Sequence, residues 1–440
     1  MLLRQNFLWV SLSILIICLL YSCKKTEETL PDFTIDKPIE NSQWAVNDTI
    51  QYRITLNIPH EIRQMKAVVV NQSQIPVTGV SITEVTETNA LIQGEHVISS
   101  QFIESGQYYF KVSVTDNNSN TVSRYVRIYI SEIPLESLAL YVVTKQNQQV
   151  MNVYRSDSLP QIEQVLTLYT DYSGSDICPI QSYFFMCGHH TGPLAAYDIN
   201  NEHQLVWKED ALVNPPFPWF ESMMYDGKFI VAGYTDHRVK GYFPSGNTSF
   251  VFQIDELWPR VFLRHYDAQQ QKYYFIIGAT HFSGMAHTLS VHYDVSYSNM
   301  QYLVTTWEAK KMFSKNDNEI YMFGNDNGQA VMKIYSISQN NTYELKIFPT
   351  GKLYDVVRVR PGIFIISHVQ GLLMYNYSYN SLTPYGDFQG GGNLEYDAVT
   401  DNIFFAQQNS LTFFDFLTQN VNGNINLADS IVRMHILYNK

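Results

Sequence analysis

The chain is short of helical signal, of positive charge and of cysteine, and each shortage narrows what it can be. Lys and Arg number 29 against 41 Asp and Glu, a net charge of −12, and no basic run is longer than the pairs Lys24-Lys25 and Lys310-Lys311. Nucleic acid is therefore not expected as a partner, because neutralising phosphates takes clustered Lys and Arg. Catalytic patterns are missing as well. His60-Glu61 has no second histidine four residues after the first, so no zincin helix exists. There is no Gly-x-Ser-x-Gly elbow, no phosphate loop and no serine–aspartate box. Asp326-Asn327-Gly328 lacks the remaining ligands of a calcium loop and reads as a hairpin turn. A carboxylate pair for glycoside hydrolysis leaves no motif, and the candidates are Asp236 and Glu256. The expectation is a protein that is not an enzyme and has no cofactor.

Only four cysteines occur. Beyond the N-terminal region just Cys178 and Cys187 remain, without the paired spacing of tetrahedral zinc ligation. They either bridge across a hairpin, which an oxidising compartment permits, or sit apart as two buried thiols. Metal binding by His189, His190, His237, His281 and His368 is not expected either, since neighbours at i and i+1 point apart.

What is present begins with a secretory signal over residues 1–22. Arg4 supplies a positive start, and Phe7 to Leu20 is an apolar run, too short for a span of about 20 residues. Leu20-Tyr21-Ser22-Cys23 resembles a lipobox, with Tyr21 an unusual second position. Cys23 is then the lipidated first mature residue, and several acyl chains give stable anchoring at about 0.8 kcal/mol per buried CH₂. The tether over 23–32 opens with Lys24-Lys25-Thr26-Glu27-Glu28, which resembles the surface-export address of Bacteroidetes lipoproteins. An outer-membrane, lipid-anchored and cell-surface location is expected.

The mature chain, about 418 residues, is long enough for two domains or more. Aromatic content is high, with 31 Tyr, 25 Phe and 6 Trp, and suits an all-β fold. Residues 33–132 read as an immunoglobulin-type sandwich. Its strands alternate at Thr49 to Ile58, Ala67 to Asn71, Tyr108 to Thr115 and Ser123 to Ile130. Gly106 to Asp116 resembles the closing strand pair of a PKD domain.

From residue 137 to 440 the chain repeats. Tyr154, Tyr197, Tyr242, Tyr293, Tyr335, Tyr375 and Phe414 recur 39 to 51 residues apart, as expected of a seven-bladed β-propeller. The first unit starts without an inner strand, and Ile431 to Tyr438 is left over at the other end. That strand either completes the first blade, removing two open edges, or is the outer strand of the seventh.

Antiparallel strands put alternate connections on one rim. His189-His190, Asp236-His237, His281, His287, Asn325-Asp326-Asn327 and His368 then gather with Trp219, Trp258, Trp307 and Gly390-Gly391-Gly392. Exposed aromatics beside amides and imidazoles suit a glycan, and Trp and Tyr equally suit a protein partner. The candidate ligand-binding set is Trp219, Trp258, His189, His190, His237, His281, His287 and His368.

A lipid-anchored N-terminus, a PKD-like sandwich and a divergent propeller together resemble the PKD-like family of Bacteroidetes lipoproteins. The resemblance rests on architecture and order. It implies an accessory role beside an outer-membrane transporter and its surface receptor, with the ligand left open.

Overall fold

The computed structural model describes residues 30–57, 62–84, 90–210, 220–254, 257–281, 283–284, 286–293 and 299–440. The signal segment, Cys23, His60-Glu61, Trp219 and Glu256 lie outside the described residues. Within them the chain is all β, with no helix. It divides at Pro134/Leu135 into two compact units.

The first unit packs a three-stranded sheet on a five-stranded one. Thr49–Asn57 shows why: Ile50, Tyr52, Ile54 and Leu56 point inward while the residues between them face outward. A period of two puts one apolar face on each strand. Phe110, Val112 and Val114 of Gly106–Asp116 meet that face, with the Tyr52 and Phe110 rings 5.8 Å apart. Asp116 holds the turn that follows, accepting the Asn120 N–H at 2.8 Å. One edge is less regular than hairpins alone would give, because Ser42–Ala45 runs parallel to Thr121–Ser131.

The second unit is built from seven four-stranded antiparallel sheets. Their innermost strands are Ser430–Tyr438 (sheet one), Gly174–Cys178 (two), Phe220–Tyr225 (three), Leu257–Asp267 (four), Trp307–Asn316 (five), Leu353–Arg360 (six) and Asn393–Asp397 (seven). Each adjoins the next, and Ser430–Tyr438 adjoins both Asn393–Asp397 and Gly174–Cys178, so the circle of neighbours is closed. Second strands such as Ile230–Tyr234 are buried along their whole length. A continuous apolar run of that length marks a strand covered on both faces. An apolar cluster fills each junction between successive sheets. A further cluster joins Phe404 and Phe413 of sheet seven to Leu140, Val142 and Met434 of sheet one.

Closure is thus made by the strand near the end of the chain. Sheet one runs in the order Gln161–Leu168, Val150–Ser158, Ser137–Asn147, Ser430–Tyr438. The recurring aromatics all stand on third strands, facing an apolar residue of the second strand: Tyr242 opposite Ile230, Tyr375 opposite Phe364, Phe414 opposite Ile403. Beside Tyr154, Tyr197, Tyr242 and Phe414 the pairing to the outer strand slips by a residue. Such bulges sharpen the local twist.

The cysteines do not bridge. Cys178 pairs with Tyr183 and Cys187 with Gly174, at opposite ends of one ladder. Four rungs at ~3.3 Å each separate them, beyond the ~7 Å Cα limit of a disulfide. Both are buried free thiols.

Candidate functional site

The turns between second and third strands, together with the links entering each sheet, carry the rim residues. His237 occupies a left-handed turn position, φ 68°, and its Nδ1 lies 3.0 Å from the Leu257 carbonyl. That contact ties the sheet-three turn to the head of sheet four, beside half-buried Trp258. The Arg260 guanidinium stands 5.6 Å from the Trp258 ring centre and is ion-paired with buried Glu221. Burial pulls half-buried His189 below the usual imidazole range, with Asp171 opposing and Arg260 reinforcing. His287 bonds Thr280 at 3.1 Å. Burial lowers it too, against the field of Glu308 and with those of Lys310 and Arg260. Arg260 is therefore the common neighbour of His189, Trp258 and His287.

Other members of the set are placed differently. His190 is exposed on its turn, and His281 bonds Ser283 at 2.9 Å. His368 is fully buried and does not present its ring to a ligand, which corrects its place in the candidate set. Gly351 and Val369 pack where its turn meets the neighbouring link. Trp307 is buried as well, at 2% exposure, and packs in the cluster between sheets four and five. Asp236 is committed to Arg238, whose Nε donates to it at 2.6 Å. Among the described residues no group of three or more His, Cys, Asp or Glu is placed to hold a metal ion.

A carboxylate organises the His189-His190 turn. Asp171 Oδ1 accepts the N–H groups of His189 and Gly192 at 2.9 and 2.8 Å, and Oδ2 those of His190 and Thr191 at 2.6 and 2.9 Å. Burial pushes the Asp171 carboxyl up, but these four donors outweigh it and hold the group below its ordinary value.

Two cavities open near these residues. The first, about 700 Å³, lies along the rim of sheets four to six, lined by His287, Glu308, Lys310, Asn327, Lys352 and Tyr354 among others. Tyr354 is 51% exposed, and its ring lies 3.1 Å from where a side chain on Gly391 would begin. Asn325 is already engaged, accepting the Leu353 N–H at 3.0 Å and donating to the Leu353 carbonyl at 3.2 Å.

The second cavity, about 580 Å³, is the part of the channel bounded by the innermost strands of sheets one to five. Lys310 lines both. Here the ring collects charges: Asp176 from sheet two, Lys311 from five, Asp355 from six, Glu395 from seven and Arg433 with His435 from one. Burial raises the Glu395 carboxyl to about 7, with Arg433 and Lys311 opposing and Asp355 and Asp176 reinforcing. Burial also raises Asp176, against backbone N–H groups from Tyr225 and Ile177. His435 bonds Ser175 at 2.8 Å, and burial drives it well below the imidazole range. Sequence reasoning did not assemble this group. Its signal was a charge set among the apolar residues of an inner strand, as Asp176 in Gly174–Cys178, Glu395 in Asn393–Asp397 and Arg433 in Ser430–Tyr438.

No family model matches the chain, and no curated protein does. Among solved structures, the Dos1 propeller aligns at 9% identity and TM-score 0.49, over 73% of this chain and 83% of that one. A chain of the nidogen/laminin complex aligns at 8% and 0.43, over 69% and 99%. Apo AztD from Citrobacter koseri aligns at 9% and 0.43, over 68% and 98%. At these scores the likenesses bear no functional argument. The β-propeller reading stands on the strand order itself.

Proposed function

We propose that this is a non-catalytic, lipid-anchored protein of the bacterial outer membrane whose propeller rim binds a glycan. The anchor is Cys23, the first unit is PKD-like, and the second is a seven-bladed propeller of the PKD-like lipoprotein type. In this reading the protein serves a nutrient-uptake system beside an outer-membrane transporter.

One observation carries the binding reading: the rim cleft of about 700 Å³, with exposed Tyr354 beside Asn327, Lys352, His287 and Glu308. A ring that is half exposed offers a stacking face for a sugar, and the amide, imidazole, ammonium and carboxylate groups offer edge partners for hydroxyls. The test is a glycan-array screen of the full chain, repeated with Tyr354→Ala and Asn327→Ala. A polysaccharide that retains the parent but not the variants supports the reading. Equal retention of all three, or none of any, rejects it.

A second reading, docking on a transporter without a small ligand, draws on the apolar outer strands, where Val304 and Ile347 are 73% and 61% exposed. Co-purification from solubilised membranes separates the two, because docking of that kind survives the cleft substitutions.

A further inference from the structure

Two cations in the channel have donors left unused. Arg433 and Lys311 come from different sheets and both line the cavity. The Arg433 side chain keeps 31% of its surface open, and its ion-pair partner, Asp355 Oδ2, is 3.8 Å away. Lys311 Nζ stands 3.5 Å from Asp355 Oδ1. Neither makes a hydrogen bond among the described residues. Asp355 is already occupied, accepting the Val356 N–H at 2.9 Å and the Leu394 N–H at 3.0 Å. One engaged carboxylate therefore faces two cations at a distance.

Two cations elsewhere in the ring show what close pairing looks like. Arg360 grips Asp401 through two bonds of 2.6 and 2.8 Å, and Lys240 meets Glu209 at 2.6 Å. A guanidinium carries five N–H donors in a planar fork that matches a carboxylate. In a confined position such donors lose water and gain from an incoming acceptor. Apolar Met223, Phe262 and Met312 line the cavity together with polar Tyr172 and Ser173, a mixture suited to a ring with both C–H and O–H faces.

We propose that the channel is a binding site for an acidic sugar, its carboxylate taken by Arg433 and Lys311. The shared chemistry is a carboxylate on a hydroxylated ring, whether a free uronic acid or the end of a uronate chain. The site shares only the lining residue Lys310 with the rim cleft, uses different cations and does not depend on the rim reading.

The groups facing Glu395 make binding proton-linked. They are Arg433 and Tyr438 from sheet one, Asp176 from two, Lys311 from five and Asp355 from six, while Tyr172 and His435 stand in the field of Arg433. Ionised Glu395 competes for the same two cations, so a carboxylate ligand enters best when Glu395 is protonated. Its carboxyl sits at about 7, and affinity falls as pH rises through that value.

Calorimetric titration of the full chain with D-glucuronate, D-galacturonate and trigalacturonate tests this, with D-glucose as the neutral counterpart. An acidic sugar binds and glucose does not. Arg433→Gln and, separately, Lys311→Gln each weaken binding by about tenfold or more, and melting curves establish that each variant folds. The second variant keeps Arg433 beside Asp355, so the test survives if the first does not fold. Between pH 6 and pH 8 the parent loses about tenfold in affinity, and Glu395→Gln removes that dependence. Binding of monomer and trimer alike assigns the free acid, and binding of trimer alone assigns the chain end. Tyr354→Ala leaves these affinities unchanged, which separates this site from the rim. Absence of heat with every acid, equal binding of glucose, or unchanged affinity in both folded cation variants overturns the proposal.

Discussion

Ile431 lies opposite Thr144 in sheet one. Nearly the whole ring is threaded between these two residues, and their pairing joins its ends. Met434, 1% exposed, packs beside Leu140 and Val142 of the same sheet and Phe404 of sheet seven. The closure therefore combines a backbone ladder with a shared apolar core.

Removing residues 430–440 should abolish the single cooperative thermal transition of the second unit and expose it to protease. Met434→Ala should lower stability by about 2–5 kcal/mol, the range for truncating a buried large side chain. Denaturant melts of both variants check this. An unchanged midpoint in the truncated chain would contradict the closure.

Asp171 gives a local test. Asp171→Ala leaves four backbone N–H groups of the 189–192 turn without their acceptor, and should cost about 2–4 kcal/mol. Because the folded carboxyl lies below its ordinary value, its contribution is present above the unfolded value near 3.9 and lost as pH falls through the folded one. Hydrogen exchange should show the turn amides opening in the variant while sheet five keeps its protection.

The thiols should be silent in the native protein. Burial pushes Cys187 up to about 12 and raises Cys178 as well, and thiolate is the reactive form. Neither should react with an aromatic disulfide reagent at pH 8 until denaturant is added, after which both should titrate without prior reduction. A requirement for reduction would restore the bridge that the ladder register excludes.

Buried histidines and Glu395 should pull stability in opposite directions on the acid side of neutrality. His189, His368 and His435 are all lowered by burial. Each stays neutral when folded, so stability drops as pH falls below the unfolded value of about 6.5. Glu395 acts in the other direction: raised to about 7, it holds a proton when folded that the unfolded chain releases above about 4.3, so stability declines from there up through 7. Glu395→Gln should remove the component of the melting temperature that declines as pH rises from about 4.3 to 7, and an identical profile in the variant would count against the channel electrostatics.

Much of the strand pattern was legible. In the third sheet, alternation around the Asp226-Gly227 turn predicts strands at Glu221 to Tyr225, Lys228 to Gly233, Val239 to Phe243 and Phe250 to Ile254. They are found as Phe220–Tyr225, Ile230–Tyr234, Arg238–Tyr242 and Thr248–Gln253. Alternation and turn residues are local, so local reading recovers them. Whether Ile431 to Tyr438 lies inside or outside a sheet is not local, because an inner and an outer strand share the same period. The same limit explains the cysteines, whose relation depends on ladder register, and His368, buried by a neighbouring link. It also explains the channel charges: Asp176, Asp355, Glu395 and Arg433 are far apart along the chain and become neighbours only when the circle closes.

The placement of Ser430–Tyr438 also dictates an order of events during synthesis. Sheet one stays a three-stranded fragment with an open edge until residues near 430 have emerged, however early its other strands are made. Pairing over so long a separation is slow, so the unit cannot close before nearly its whole length has been made.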